Sequence, residues 1–124
     1  MNHADESELA VVTDWPSPRI CVVRPTGVLD SVTSPWLVHH LREQTAAGPE
    51  HLVLDLAGVR LLAAAGVAVV VDARCGRRDI RGRLHLTGVT GNRPVERVLE
   101  LSGVRAVVDV HDEIDSLLAR LAAE

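Results

Sequence analysis

Residues 51–74 read HLVLDLAGVRLLAAAGVAVVVDAR, and the assignment of this stretch decides the fold. Its first part, 51–58, is a short apolar run with one acid, Asp55, the pattern of a strand covered on both faces. The second part is ambiguous, because VAVVV at 67–71 suits a strand as well as a helix. The next segment of the chain resolves the ambiguity. RLHLTGV, residues 83–89, alternates as a strand, and parallel neighbours in one sheet need a crossover that is normally a helix. Residues 64–79 are therefore expected to form a helix, nearly fully buried.

Outward from this core the period keeps changing. LAVVTD (9–14) and RICVVRPTG (19–27) are β-branched runs separated by WPSP, whose prolines punctuate a turn, and they predict an antiparallel or edge pair. TSPWLVHHLREQTAAG (33–48) opens with Thr33 or Ser34 as N-cap and Pro35 in the first turn. It carries Trp36, Leu37, Leu41 and Ala46 on one face and stops at Gly48-Pro49. NRPVERVLELSG (92–103) predicts a helix ended by Gly103, AVVDV (106–110) a strand, and DEIDSLLARLAAE (112–124) an amphipathic helix whose early acids suit its dipole. The order β-β-α-β-α-β-α-β-α predicts an α/β fold with a mixed sheet of about five strands and about four helices. An acidic, flexible stretch at 1–8 precedes a single domain at 9–124.

Composition narrows the function. The chain has 124 residues and a formal charge of −4, and its thirteen basic residues are all arginine, so there is no general attraction to nucleic-acid phosphates. It has no Phe or Tyr and two tryptophans, Trp15 and Trp36, so aromatic stacking is not a main binding device. The longest apolar run, Leu61 to Val71, is too short to span a bilayer, and no secretion signal opens the sequence, so a cytoplasmic protein is expected. Cys21 and Cys75 do not form a CxxC pair and read as small buried hydrophobes.

No phosphate loop, GxSxG elbow or HExxH is present. His39 and His40 are adjacent on a helix and point about 100° apart, so they do not make a chelating pair. His51, His85 and His111 have no neighbouring Cys or paired acid in sequence, and a metal site would need long-range convergence. A structural role is favoured, with no metal expected. Asp30 with Ser31 and Thr33 offers nucleophilic groups without an identifiable base, and Asp30 and Ser31 read as turn residues that bond their own backbone. The cluster Arg74, Arg77, Arg78, Arg81 and Arg83 complements a helix C-terminus and then runs into solvent. Its functional reading is an electrostatic rim for an acidic partner.

The stretch 51–74 resembles the STAS domain of bacterial anti-sigma factor antagonists, in which a strand ending in D-L-x-x-V leads to an Asp-Ser-Ser-Gly turn that opens a helix. VVRPTGVLD resembles that family's G-x-L-D strand, and RPVERVLELSGVRAVVDVHDEIDSLLA its closing segments. The three match in family order and spacing from about residue 9 onward.

The resemblance implies a non-enzymatic, cofactor-free module that binds an anti-sigma factor of the ATPase/serine-kinase type. Partner contacts would fall on Asp30, Ser31, Thr33, Ala63, Ala64, Ala65 and Gly66, and on the exposed face of the helix that Ala64 opens. In the family a serine beside the turn glycine is phosphorylated. Here the aspartate position holds Ala63, the serines Ala64 and Ala65, and the glycine Gly66, so Ala65 stands at the acceptor position and cannot be phosphorylated. Ser31 and Thr33 are alternative acceptors. An uncapped helix start costs roughly 0.5–2 kcal/mol, and Asp30 is expected to supply the missing cap. Two further readings stand beside this one. One is a STAS ligand-binding or scaffold subunit, taking a nucleotide or anion or accompanying a transporter or signalling assembly. The other is a hydrolase or metal enzyme, which rests only on scattered His and Asp.

Overall fold

The computed structural model describes residues 8–76 and 83–124, with the side chains of residues 75 and 76 excepted. Strand β1 (Leu9–Ser17) turns at Pro18-Arg19 into β2 (Ile20–Leu29). Helix α1 (Ser34–Ala46) leads to β3 (His51–Asp55), β4 (Gly58–Leu62) and α2 (Ala64–Gly76). Strand β5 (Arg83–Thr87), α3 (Arg93–Ser102), a 3-10 turn (Val104–Ala106), β6 (Asp109–Val110) and α4 (Ile114–Ala122) complete the described chain. The strands form one mixed sheet in the order β1-β2-β3-β5-β6, with β4 pairing to the far half of β2.

β1 and β2 are antiparallel, with Leu9 opposite Gly27 and Asp14 opposite Val22, as the two β-branched runs predict. β1 is an edge strand, and it continues through Pro16 where WPSP predicts a turn. An edge tolerates a residue that cannot donate to a ladder, and the register shifts between Asp14 and Ser17. β3 is the central strand, buried from His51 to Leu54, and pairs in parallel with both β2 and β5.

The two faces of the sheet divide the core by alternation. On β2, Cys21 and Val23 face a large cluster with Leu37 and Leu41 of α1, Val69, Val70 and Ala73 of α2, and Val95 and Leu99 of α3. Ile20 and Val22 face the opposite side, where Leu117 and Leu121 of α4 pack on them and on Val53. Three helices thus cover one face and one helix the other.

Several expectations need correction. β4 is a sixth strand that the sequence pattern does not assign. Its register against β2 shifts between Gly27 and Val28, which breaks the alternation that would have revealed it. α2 is a helix, but it is not nearly fully buried. Ala64, Ala68, Val71 and Arg74 are exposed, because a helix lying on one side of a sheet buries only one stripe. Trp36 is 60 % exposed and Ala46 is also outside. Leu37 and Leu41 set the inner stripe of α1, and at 100° per residue neither Trp36 nor Ala46 falls on it. AVVDV yields only a two-residue strand at 109–110, and the Val107 carbonyl accepts from Arg74 Nε at 3.0 Å. Arg83 pairs with Asp109 at 3.0 Å. Two members of the arginine cluster are thus engaged within the domain, while Arg77, Arg78 and Arg81 lie outside the described residues, as do residues 1–7.

Candidate functional site

The two segments singled out in the sequence, 27–33 and 63–66, meet at the end of β2. Leu29 is the last residue of that strand, and its carbonyl accepts from the Ala63 N–H at 2.9 Å. Gly66 then lies flat against Leu29. A Cβ there would stand 2.4 Å from Leu62 Cδ1, 2.9 Å from Leu29 Cβ and 3.0 Å from the Leu29 carbonyl oxygen. Only glycine lets α2 approach the strand this closely. Gly27, at φ +118°, serves the same end on the other side, since a Cβ would stand 2.0 Å from the Glu8 carbonyl oxygen.

The loop after β2 is built around Asp30. Its Oδ1 accepts from the backbone N–H of Val32 at 2.9 Å and of Thr33 at 3.0 Å, an Asx turn. The Thr33 N–H, ahead of the Val32 N–H, holds the Asp30 carboxyl below its ordinary range. The Ser34 N–H donates to the Asp30 carbonyl at 2.9 Å. Asp30 Oδ1 therefore serves its own turn rather than capping α2. The first acceptor of α2 is the Ala63 carbonyl, which takes the N–H groups of Gly66 at 2.9 Å and Val67 at 3.2 Å.

Thr33 and Ser34 do not cap α1 with their side chains either. The Thr33 hydroxyl donates to the Val28 carbonyl at 2.7 Å and accepts from the Asp30 N–H at 3.1 Å, and the residue is 1 % exposed. A hydroxyl spent on both sides and shut from solvent is a poor phosphoacceptor. Ser31 is exposed. Ser34 Oγ is buried and has no hydrogen-bond partner among the described residues.

Ala64 is exposed, Ala63 and Ala65 are half-buried and Gly66 is buried, so the turn is at the surface. Ala65 faces a shallow groove between α1 and α2 that Ser31, Ser34, Pro35, Val38 and Ala68 also line. Arg42 of α1 and Asp72 of α2 join across it at 2.7 Å. Exposed Val32 and Trp36 on the α1 side and Val71 on α2 add apolar surface to the same two segments. Sequence reasoning missed Ser34, Val38 and the Arg42–Asp72 pair as parts of this surface. Their spacing gives no signal, because the groove exists only once two helices lie side by side.

The described histidines fall into two groups. His39 is exposed, and His40 hydrogen-bonds the Thr13 hydroxyl. His51, His85 and His111, distant in sequence, converge on the opposite face of the sheet. Among the described residues no group of three or more His, Cys, Asp or Glu is arranged to hold a metal ion. Cys21 is fully buried in the core. Among the described residues no helix is long and apolar enough to cross a membrane.

Known proteins share this fold. The family model described as Mlab, STAS domain, matches residues 17–119. The fold is similar to that of an anti-sigma factor antagonist from Mycobacterium paratuberculosis, with TM-score 0.80 and 20 % identity over 90 % of this chain and 92 % of that one. It is also similar to a putative anti-sigma factor antagonist from Thermotoga maritima, with TM-score 0.73 and 16 % identity over 96 % and 97 % of the two chains. The anti-sigma factor antagonist SpoIIAA in its unphosphorylated form gives TM-score 0.69 and 13 % identity over 92 % and 98 %. At these identities the likeness is one of fold. The comparison with curated proteins found no match.

Proposed function

Since the chain belongs to the STAS-domain family, we propose that it is a regulatory binding module of the anti-sigma factor antagonist kind, without enzymatic activity, whose partner is an anti-sigma factor of the ATPase/serine-kinase type. The observation that carries this reading is the junction of Ala63–Gly66 with the loop after Leu29. It presents Ala65, Ser31 and the α1–α2 groove as one surface. SpoIIAA, a fold neighbour, is described in phosphorylated and unphosphorylated forms, which supports a phosphate switch on this scaffold.

At the acceptor position this chain carries a methyl group. Phosphate adds about −1.5 to −2 charges at neutral pH, and Ala65 cannot take it. The surface therefore stays in its unmodified state, and binding is expected to persist whatever the ATP supply. The test compares the native chain with Ala65→Ser against such an anti-sigma kinase, with and without ATP. The reading expects the native complex to survive ATP and the Ala65→Ser complex to dissociate with phosphate on residue 65. Identical behaviour of the two chains would remove the switch-loss idea.

A second reading, binding of a nucleotide or anion at the same place, is favoured by one observation. The Ser34 hydroxyl is buried beside the groove with no hydrogen-bond partner among the described residues. A rise in melting temperature with millimolar nucleotide or phosphate, lost in Ser34→Ala, would favour it over the first by mass action.

A further inference from the structure

The face of the sheet turned away from the groove holds a polar seam inside an apolar layer. His51 opens β3, His85 lies within β5 next to Val53, and His111 comes directly after β6. The parallel register of these three adjacent strands sets the imidazoles in a row beside α4. Nδ1 of His51 is 3.0 Å from Nε2 of His85, and Nδ1 of His85 is 3.0 Å from Nε2 of His111. The row ends at both sides on the C-terminal segment. His51 Nε2 lies 2.9 Å from Glu124 Oε1, and His111 Nδ1 lies 3.0 Å from the Arg120 guanidinium. His51 and His85 are 5 % and 3 % exposed.

The end groups fix where every proton must be. A guanidinium only donates and a carboxylate only accepts. Arg120 therefore donates to His111 Nδ1, which leaves the His111 proton on Nε2. That proton goes to His85 Nδ1, the His85 Nε2 proton to His51 Nδ1, and the His51 Nε2 proton to Glu124. All three rings are neutral and share one tautomer, and every nitrogen in the row is satisfied. An added proton has no place in this pattern. It sets N–H against N–H unless the tautomers beyond it reverse, and each reversal runs to Arg120, which cannot accept.

For His85 and His111 the surroundings favour the neutral state. Burial, then His111 and His51, push His85 down to about 4, with Arg83 acting the same way and Asp109 opposing. Burial, then Arg120, lower His111, with Arg83 adding to the effect and Asp109 and Asp112 opposing it. At the His51 end, Arg19 lies 3.5 Å from Glu124 and 2.9 Å from Glu50.

We infer that the row His51–His85–His111 is a proton-controlled latch for α4. In its neutral form it ties the end of the helix to β3, β5 and β6 through Glu124 and Arg120. Proton uptake dissolves the Arg120 contact, loosens α4 and uncovers the sheet face of Ile20, Val22 and Val53. The inference is independent of the groove on the other face and of what binds there.

Amide hydrogen exchange on the full chain, corrected for intrinsic rates, tests it. Between about pH 7.5 and about pH 5, protection of residues 114–122 is expected to fall roughly tenfold more than that of α1. In His85→Gln, which keeps a donor and an acceptor but does not titrate, this excess should shrink below about threefold. Equal protection changes in α4 and α1, or an undiminished excess in His85→Gln, would overturn the latch. Should the variant not fold, ring-nitrogen NMR of the native chain at about pH 7.5 decides the matter. Three Nε2–H tautomers are expected there, and a protonated ring or an Nδ1–H tautomer in the row overturns it.

Discussion

The Ala63 N–H donates to the Leu29 carbonyl across 2.9 Å, and this bond holds the start of α2 against the end of β2. Through it the loop of Asp30 and Ser31 and the turn before Gly66 become one surface. The bond depends on close approach, which Gly66 alone permits.

Gly66→Ala is therefore expected to destabilise the fold. Overpacking against Leu29 and Leu62 costs about 1–3 kcal/mol, while the helix-propensity gain of alanine over glycine returns at most about 1 kcal/mol. The urea midpoint should fall, and an unchanged or raised midpoint would show that α2 can move away from β2 at little cost.

Ser31 and Thr33 should differ sharply as phosphoacceptors. Incubation with an anti-sigma kinase and ATP, with subsequent peptide mapping, is expected to leave Thr33 unmodified, because its hydroxyl is bonded to Val28 and Asp30 beneath the loop. Any phosphate on this loop should lie on Ser31. Substantial modification of Thr33 would mean that the loop opens in solution.

Thr33→Val keeps the shape of the side chain and removes its hydroxyl's hydrogen bonds to Val28 and Asp30. It leaves the Val28 carbonyl and the Asp30 N–H without this partner, and their desolvation is expected to cost about 1–3 kcal/mol. Thermal and urea denaturation read it directly.

Ser34→Ala should behave in the opposite way. Its hydroxyl is buried without a partner among the described residues, so replacing it by a methyl-sized group is expected to be neutral or to stabilise by up to about 1 kcal/mol. A loss greater than about 1 kcal/mol would mean that the hydroxyl is satisfied in solution.

Global stability should fall with acidification in a defined window. The unfolded chain protonates His85 near the ordinary value of about 6.5, whereas the folded chain resists until about 4. Between these values the unfolded state binds more protons, so this contribution is complete above about pH 6.5 and is lost progressively down to pH 4. Urea midpoints measured across the window should decline, and His85→Gln should flatten that decline. A flat profile in the native chain would contradict the lowered value.

Much of the fold is legible in the sequence, because it rests on local periodicity and on a crossover rule. The alternation of RLHLTGV and the two β-branched runs of the first hairpin are written in adjacent residues. So is the stop at Gly103, where φ is +77°. The apolar run after Ala63 is ambiguous in itself, and the parallel strands on either side of it decide that it is a helix. Where local pattern misleads, the cause is tertiary. Trp36 lies outside because helical phase, not hydrophobicity, sets the stripe on α1. β4 stays hidden because a bulge breaks its alternation.

By itself the sequence determined the layer architecture, the pairing of the loop after Gly27 with the turn at Ala63–Gly66 through family resemblance, and the absence of a hydroxyl at residue 65. Only the tertiary structure decided that Thr33 is buried and Ser31 exposed, that Asp30 does not cap α2, and that three scattered histidines form one row. These outcomes depend on which side chains meet across strands and helices distant in the chain. Periodicity reports which face a residue occupies, and distances across the sheet report what it touches.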